Sequence, residues 1–162
     1  MGRVGFWWRT AAAVIDVLNV ALVCGVLGQF LDLTPRMLEL LFASAWLIYT
    51  LAEVYAEGTP GKRFLRMKIA RADGRRADKW TLFLRWYTKQ FPAICGLLFL
   101  MSGYPPFRIL GGFESLLVTM GFLYASTEFK QAWHDQWAQT AVYPTQVVTA
   151  RTPPARGSAA KD

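Results

Sequence analysis

A carboxylate inside a long apolar segment constrains this chain more than any other feature of its sequence. Nearly every position from residue 5 to residue 33 is apolar or small, and Asp16 lies well inside that segment. About 20 apolar residues are enough to cross a bilayer as a helix. A charged side chain at that depth is costly in lipid and needs a partner or a function. The segment therefore predicts a membrane helix organised around one carboxylate.

Arg9 and Asp16 are seven residues apart, which places them on one face of that helix. Seven residues rise about 10 Å along the axis, and both side chains lean towards the N-terminus. Arg9 therefore leans away from Asp16, and we do not expect the two to pair directly. Another helix, water, a bound ion or a proton must satisfy Asp16, and Asn19 lies one turn further in as a candidate neutral ligand.

Four apolar blocks predict an all-α membrane protein, a four-transmembrane-helix bundle. Short turns after the first and third blocks indicate antiparallel helix hairpins, and a long basic loop joins the second block to the third. We predict one transmembrane domain over residues 1–148 and a disordered cytoplasmic tail over residues 149–162. The four blocks are residues 11–31, 38–55, 82–102 and 109–124.

The positive charges are distributed unevenly between the two sides of such a bundle. With four crossings, 16 of the 18 Lys and Arg residues share the side of the middle loop and both termini. Because cytoplasmic loops carry an excess of Lys and Arg, this distribution predicts that both termini are cytoplasmic. The basic side chains suit anionic lipid headgroups as partners, and we predict no nucleic-acid partner.

The middle loop opens with a turn-forming motif. Its residues are Gly58, Thr59, Pro60, Gly61 and Lys62. The motif lacks the first glycine and the Ser or Thr of a phosphate-binding loop, so we interpret it as a chain reversal at the membrane surface. Apolar and basic residues then alternate over residues 65–69, which is the period of a strand. We expect either a short pairing with residues 140–148 or a surface-lying helix.

Cations also begin the third block. Arg85 and Lys89 lie four residues apart and share a helical face. They can extend to the headgroup region, or they can offer positive charge to a carboxylate such as Asp135. His134, the single histidine, precedes that aspartate. Glu53, at the end of the second block, we interpret as an interface residue.

Three stretches together resemble the RDD family of small bacterial membrane proteins, which is named for one arginine and two aspartates. The opening resembles the family through Arg9 and Asp16, residues 58–69 resemble its middle loop, and residues 133–142 resemble its closing stretch with Asp135 as the second aspartate. Arg85 matches an arginine that commonly follows the loop. The resemblance covers residues 5–148 and implies a multi-pass protein of the bacterial inner (plasma) membrane. Ion or ligand transport, including sodium–proton exchange, is what it implies for function.

Two functions fit these features. In the first, an ion or small solute is transported through a site built on Asp16, where a proton and a cation would compete. Arg9, Asp135 and His134 would then form a cytoplasmic gate. Because four helices are few for a transporter, we expect a homo-oligomer, and small-residue faces are available for it. Those faces are Ala21 with Gly25 and Gly121 with Ala125.

In the second function the protein is a non-transporting scaffold or accessory subunit. Arg9, Asp16 and Asp135 would form a buried polar network that fixes the helices. The sequence offers no paired catalytic carboxylates, no nucleophile beside a base and one histidine only, so we predict no enzyme, no catalytic residue, no metal site and no cofactor.

Overall fold

Long helices follow the four apolar blocks, and the connections between them add short helices and two strands. A computed structural model describes residues 2–151. The elements in chain order are α1 (Phe6–Phe30), α2 (Pro35–Thr50), α3 (Ala52–Ala56), α4 (Pro60–Phe64), β1 (Met67–Arg71), α5 (Lys79–Ser102), α6 (Pro105–Leu123), a 3₁₀ turn (Tyr124–Ser126), α7 (Trp133–Trp137), β2 (Thr140–Pro144) and α8 (Thr145–Arg151).

Within the described residues, three helical segments are long and apolar enough to cross a membrane: Phe6–Phe30, Pro35–Ala56 and Pro105–Ser126. Large apolar side chains such as Leu22 and Phe113 are mostly exposed on their surfaces. Such surfaces are unfavourable in water and are matched by lipid. The long α5 carries two lysines and one arginine in its first half, and its composition does not qualify it as a span. The fourth crossing therefore stays a prediction.

The ends of the long helices follow local sequence signals. The Thr34 side chain accepts a hydrogen bond from the Met37 backbone N–H at the start of α2, and Pro35 occupies its first turn. Asp78 caps α5 by accepting the Thr81 N–H at 3.0 Å. Gly103 ends α5 with a φ of 68°, a conformation that glycine adopts without strain. These caps produce the predicted short turns between α1 and α2 and between α5 and α6.

The predicted strand pairing is confirmed, and the alternative of a surface-lying helix is wrong. β1 and β2 pair in antiparallel register, with Ile69 opposite Val142. Both side chains are fully buried, in a cluster that also contains Ala12 of α1. The Val4 N–H donates to the Val142 carbonyl at 2.9 Å, so the N-terminal segment packs beside the sheet. The start of α1, the middle loop and the closing stretch thus form one unit.

The last described helix runs into the predicted tail. α8 directly follows β2, and the Thr145 N–H donates to the Arg66 carbonyl at 2.8 Å. Residues 149–151 therefore belong to a helix, which the sequence pattern does not predict. The remainder of the predicted tail, residues 152–162, lies outside the described residues.

Candidate functional site

Arg9 and Asp135 are joined although they are distant in sequence. Arg9 Nη1 donates to Asp135 Oδ2 at 2.5 Å, and both side chains are almost completely buried. The other guanidinium nitrogens of Arg9 donate to the carbonyls of Val4 at 3.1 Å and Lys130 at 2.8 Å. The start of α1 is therefore fixed to α7 through a guanidinium with a partner on each nitrogen.

Arg85 extends this network from α7 to α3. Its Nε donates to Asp135 Oδ1 and its Nη1 donates to Glu53 Oε2, both at 2.7 Å. Burial alone would raise the pKa of Asp135, but Arg85 and Arg9 hold it well below its usual value. Asp135 is therefore ionised at neutral pH, with one guanidinium on each side.

Glu53 is the second centre of negative charge. It is 1% exposed and forms ion pairs with Lys62 of α4 and, at 2.6 Å, with Lys89 of α5, in addition to Arg85. Burial lowers the pKa of Lys62 to about 7, with Glu53 opposing that effect and Lys89 and Arg85 adding to it. Three cations therefore converge on one buried carboxylate, and one of them exchanges its proton near neutral pH.

Asp16 lies on the same face of α1 and binds the middle loop. Its Oδ2 accepts a hydrogen bond from the Thr59 hydroxyl at 2.5 Å. Its Oδ1 accepts from the Gly61 backbone N–H at 2.7 Å and from the Tyr49 hydroxyl at 2.9 Å. Another helix therefore satisfies part of the Asp16 carboxylate, as the sequence allows, and the loop motif satisfies the rest.

The α4 helix lies so close to α1 that position 61 must be glycine. A Cβ at position 61 would lie 2.7 Å from Asp16 Oδ1 and closer still to the Ala12 carbonyl oxygen. No real side chain tolerates such distances from backbone. The neighbouring Gly58 has more room, because a Cβ there would meet Lys62 Cβ at 3.5 Å. Within the motif, Gly61 is thus the glycine that allows α4 to lie against α1.

A cavity of about 620 Å³ lies between these groups and the apolar helices. Its charged and strongly polar lining comes from Arg9, Asp16, Glu53, Lys62, Arg85, Lys89 and His134. Small and apolar residues line the remainder, among them Ala13, Ala93 and Gly111. The size is that of a site for one small organic ligand.

His134 borders the cavity as a neutral side chain. It is 8% exposed, and its Nδ1 has no hydrogen-bond partner among the described residues. Burial lowers the pKa of His134 to about 3, with Asp135 opposing the shift, so the imidazole carries no charge at neutral pH. That atom has almost no accessible surface, so it lies behind the cavity wall, and the neutral His134 adds no charge to the site.

The structure brings together most of the residues that the sequence singles out. Arg9, Arg85, His134 and Asp135 meet at one end of the helices, and Thr59 and Gly61 reach Asp16. Pro60 begins α4, and Lys62 pairs with Glu53.

Asn19 is not part of this group, contrary to the prediction. Its side chain is exposed and donates to the Ile15 carbonyl of its own helix at 2.8 Å. The buried stripe of α1 advances in steps of four residues through Ala12, Asp16 and Val20. A residue three positions after Asp16 falls outside that stripe.

One of the two small-residue faces proposed for oligomerisation is covered within the chain. A Cβ on Gly121 would lie 3.0 Å from Trp133 Cβ, and Ala125 is 1% exposed. The other face, at Ala21 and Gly25, is exposed.

Glu53 and Tyr49 complete the site although the sequence pattern does not single them out as site residues. From the sequence, Glu53 is expected at the interface because it ends an apolar block, and Tyr49 is one aromatic residue among many. A signal that could have found Glu53 is the balance between positive and negative side chains in the apolar blocks. Arg85 and Lys89 enter a largely apolar helix together, and one carboxylate, Asp135, is too few for both of them.

A model of the RDD family matches residues 3–139, which is most of the chain. No curated protein and no solved structure matches the chain. The match includes the opening, the middle loop and α7, so it covers the network and the Asp16 contact.

Proposed function

The chain belongs to the RDD family and is a membrane protein, and we propose that it binds a small solute in its cavity and carries it across the membrane. The observation that carries this proposal is the cavity itself, about 620 Å³ of space that four cations border beside apolar helices. Ionisable groups inside membrane domains are expensive to maintain and commonly mark the pathway of a substrate.

The solute site in this proposal is the charged end of the cavity rather than Asp16. Asp16 accepts three hydrogen bonds from Tyr49, Thr59 and Gly61, which leaves little capacity for a transported ion. Its role is to hold α4 against α1, and α4 carries Lys62. Asp16 therefore supports the solute site by positioning a residue that borders it.

Lys62 and Lys89 are the groups assigned to the solute. Each ammonium has three donors, and both lysines pair with Glu53. A solute that reaches them competes with Glu53 for positive charge. Binding would thereby loosen the link between α4 and α3, and movement of the middle loop would open the charged end of the cavity. In this account the Lys62 to Glu53 ion pair is the gate.

The proposed topology has four crossings, with both termini and the sheet in the cytoplasm of the bacterial inner membrane. The excess of Lys and Arg on the side of the middle loop supports this orientation. A homo-oligomer through the exposed Ala21 and Gly25 face is part of the proposal. No enzymatic step is assigned to the chain.

A scaffold function is the second candidate, and the ion-pair network favours it. Arg9, Arg85, Glu53 and Asp135 are all buried and all paired. Such a network can fix the arrangement of helices without performing chemistry. A scaffold would need the network but would have no use for an accessible cavity.

Flux through sealed liposomes distinguishes the two candidates. The full chain is reconstituted, and the fluxes of protons, sodium, chloride and a fluorescent phosphatidylglycerol are followed for the wild type and for Lys62→Gln. The matched control is Arg63→Gln, which removes the same charge from an exposed neighbouring residue. Transport predicts flux that Lys62→Gln abolishes and the control retains. No flux of any probe would favour the scaffold.

A further inference from the structure

The cavity has an opening on the side of the helices. Most of its lining residues are buried or half-buried, but Ala13, Ser115 and Thr119 are exposed. These three lie on α1 and α6, two of the segments that are apolar enough to span a membrane. Near the charged end α1 and α6 meet through the rings of Phe6 and Phe122, whose centroids are 5.2 Å apart. With α1 and α6 spanning a bilayer, this opening would face the hydrocarbon region.

The cavity is long in the direction of the helix axes. On α6 its lining extends from Phe122 to Gly111. At 1.5 Å per residue this is roughly 16 Å, about half of the hydrocarbon thickness of a bilayer. Val118 of α6 and Ala93 of α5 contribute apolar surface along this length. The space matches the reach of a single hydrocarbon chain from one leaflet.

The charged end of the cavity has an excess of positive charge. Four cations face three carboxylates, so one positive charge is unbalanced when Lys62 is protonated, even with all three carboxylates ionised. The cations are Arg9, Lys62, Arg85 and Lys89, and the carboxylates are Asp16, Glu53 and Asp135. A charge held at low dielectric favours a counter-ion strongly.

We propose that the solute is an anionic amphiphile, with its acidic head group at Lys62 and Lys89 and its hydrocarbon chain along α1 and α6. This inference rests on the proposed function, because it names the class of solute that the cavity holds. Head group and chain each find a matching part of the same cavity, and the opening lets the molecule enter from the membrane.

Binding of phosphatidylglycerol to the full chain tests the proposal. Native mass spectrometry of the protein in a neutral detergent counts bound lipid, with phosphatidylcholine as the zwitterionic comparison and inorganic phosphate as the competitor without a chain. We expect one phosphatidylglycerol per chain. We expect Lys62→Gln to weaken its binding by about tenfold, the loss typical of one hydrogen bond to a charged group. Arg63→Gln, the exposed control, leaves binding unchanged.

A second pair of variants examines the opening. Ala13→Trp fills it, and Ala11→Trp places the same ring on another exposed face of α1. We expect Ala13→Trp alone to prevent lipid binding.

Equal binding of phosphatidylglycerol and phosphatidylcholine would overturn the inference. Phosphate binding that Ala13→Trp does not affect would also overturn it, because such binding indicates a small-anion site. Specific lipid binding without flux would remove the transport proposal and retain this one. Flux without a preference between the two lipids would retain the transport proposal and remove this inference.

Discussion

Replacing Gly61 by alanine is the sharpest perturbation of the contact between α1 and the middle loop. A Cβ at this position would lie 2.7 Å from Asp16 Oδ1 and closer to the Ala12 carbonyl oxygen. Neither neighbour can move away easily, because one is backbone and the other accepts hydrogen bonds from Tyr49 and Thr59 as well. The helices must therefore separate, and the Gly61 N–H loses Asp16.

The cost of that separation can be worked out from two contributions. Overpacking by one methyl group costs about 1–3 kcal/mol. A hydrogen bond to a charged group contributes about 1.5–3 kcal/mol. The two overlap, so we expect a destabilisation of roughly 2–4 kcal/mol. For a chain of this length that corresponds to a fall of roughly 5–15 °C in Tm.

Thermal unfolding of the purified chain in detergent measures this effect. Gly58→Ala is the matched control, since it changes a glycine in the same motif and its Cβ meets Lys62 Cβ at an ordinary 3.5 Å. We expect the Tm of the control to stay within about 2 °C of wild type, because a Cβ at the buried position 58 makes only ordinary van der Waals contacts. Equal Tm values for Gly61→Ala and Gly58→Ala would refute the close packing of the loop against Asp16.

Three further predictions address other parts of the site. Asp135→Asn leaves two buried guanidiniums without their carboxylate, so we expect a loss of about 3–5 kcal/mol and little monodisperse protein by size-exclusion chromatography. Tyr49→Phe removes one hydrogen bond to Asp16 and should lower stability by about 1–2 kcal/mol, measured as a Tm shift. Anion affinity should be highest well below pH 7 and fall as the pH rises through 7, because Lys62, with a pKa of about 7, loses its charge over that range; titration of phosphatidylglycerol binding from pH 5 to 9 checks this. The groups that face Lys62 are Glu53 on α3 and Arg85 and Lys89 on α5.

The fold was predictable where a pattern repeats along the chain. Apolar blocks gave the long helices, and alternation around Ile69 gave the strand that pairs with Val142. The axial rise between Arg9 and Asp16 predicted that the two would not pair directly, and the structure pairs them with Asp135 and with the loop respectively. The family resemblance over the same motifs is confirmed by the match to residues 3–139.

Contacts between residues that are distant in sequence were harder to predict. Asn19 was misplaced because spacing near a carboxylate does not show which side of the helix is buried. The sequence predicts an interface residue at Glu53, because position in an apolar block does not reveal three cations from α4 and α5. The fourth crossing is open for a similar reason, since the cations of α5 lower its hydropathy where they serve the buried network.

An experimental density map of the full chain in nanodiscs that contain phosphatidylglycerol would test the central claim most directly. The account predicts density for a head group within hydrogen-bond distance of the Lys62 and Lys89 ammonium groups, continuing as a chain between α1 and α6. A closed contact between α1 and α6 at Ala13 and Thr119, with both lysines held by protein carboxylates alone, would contradict it.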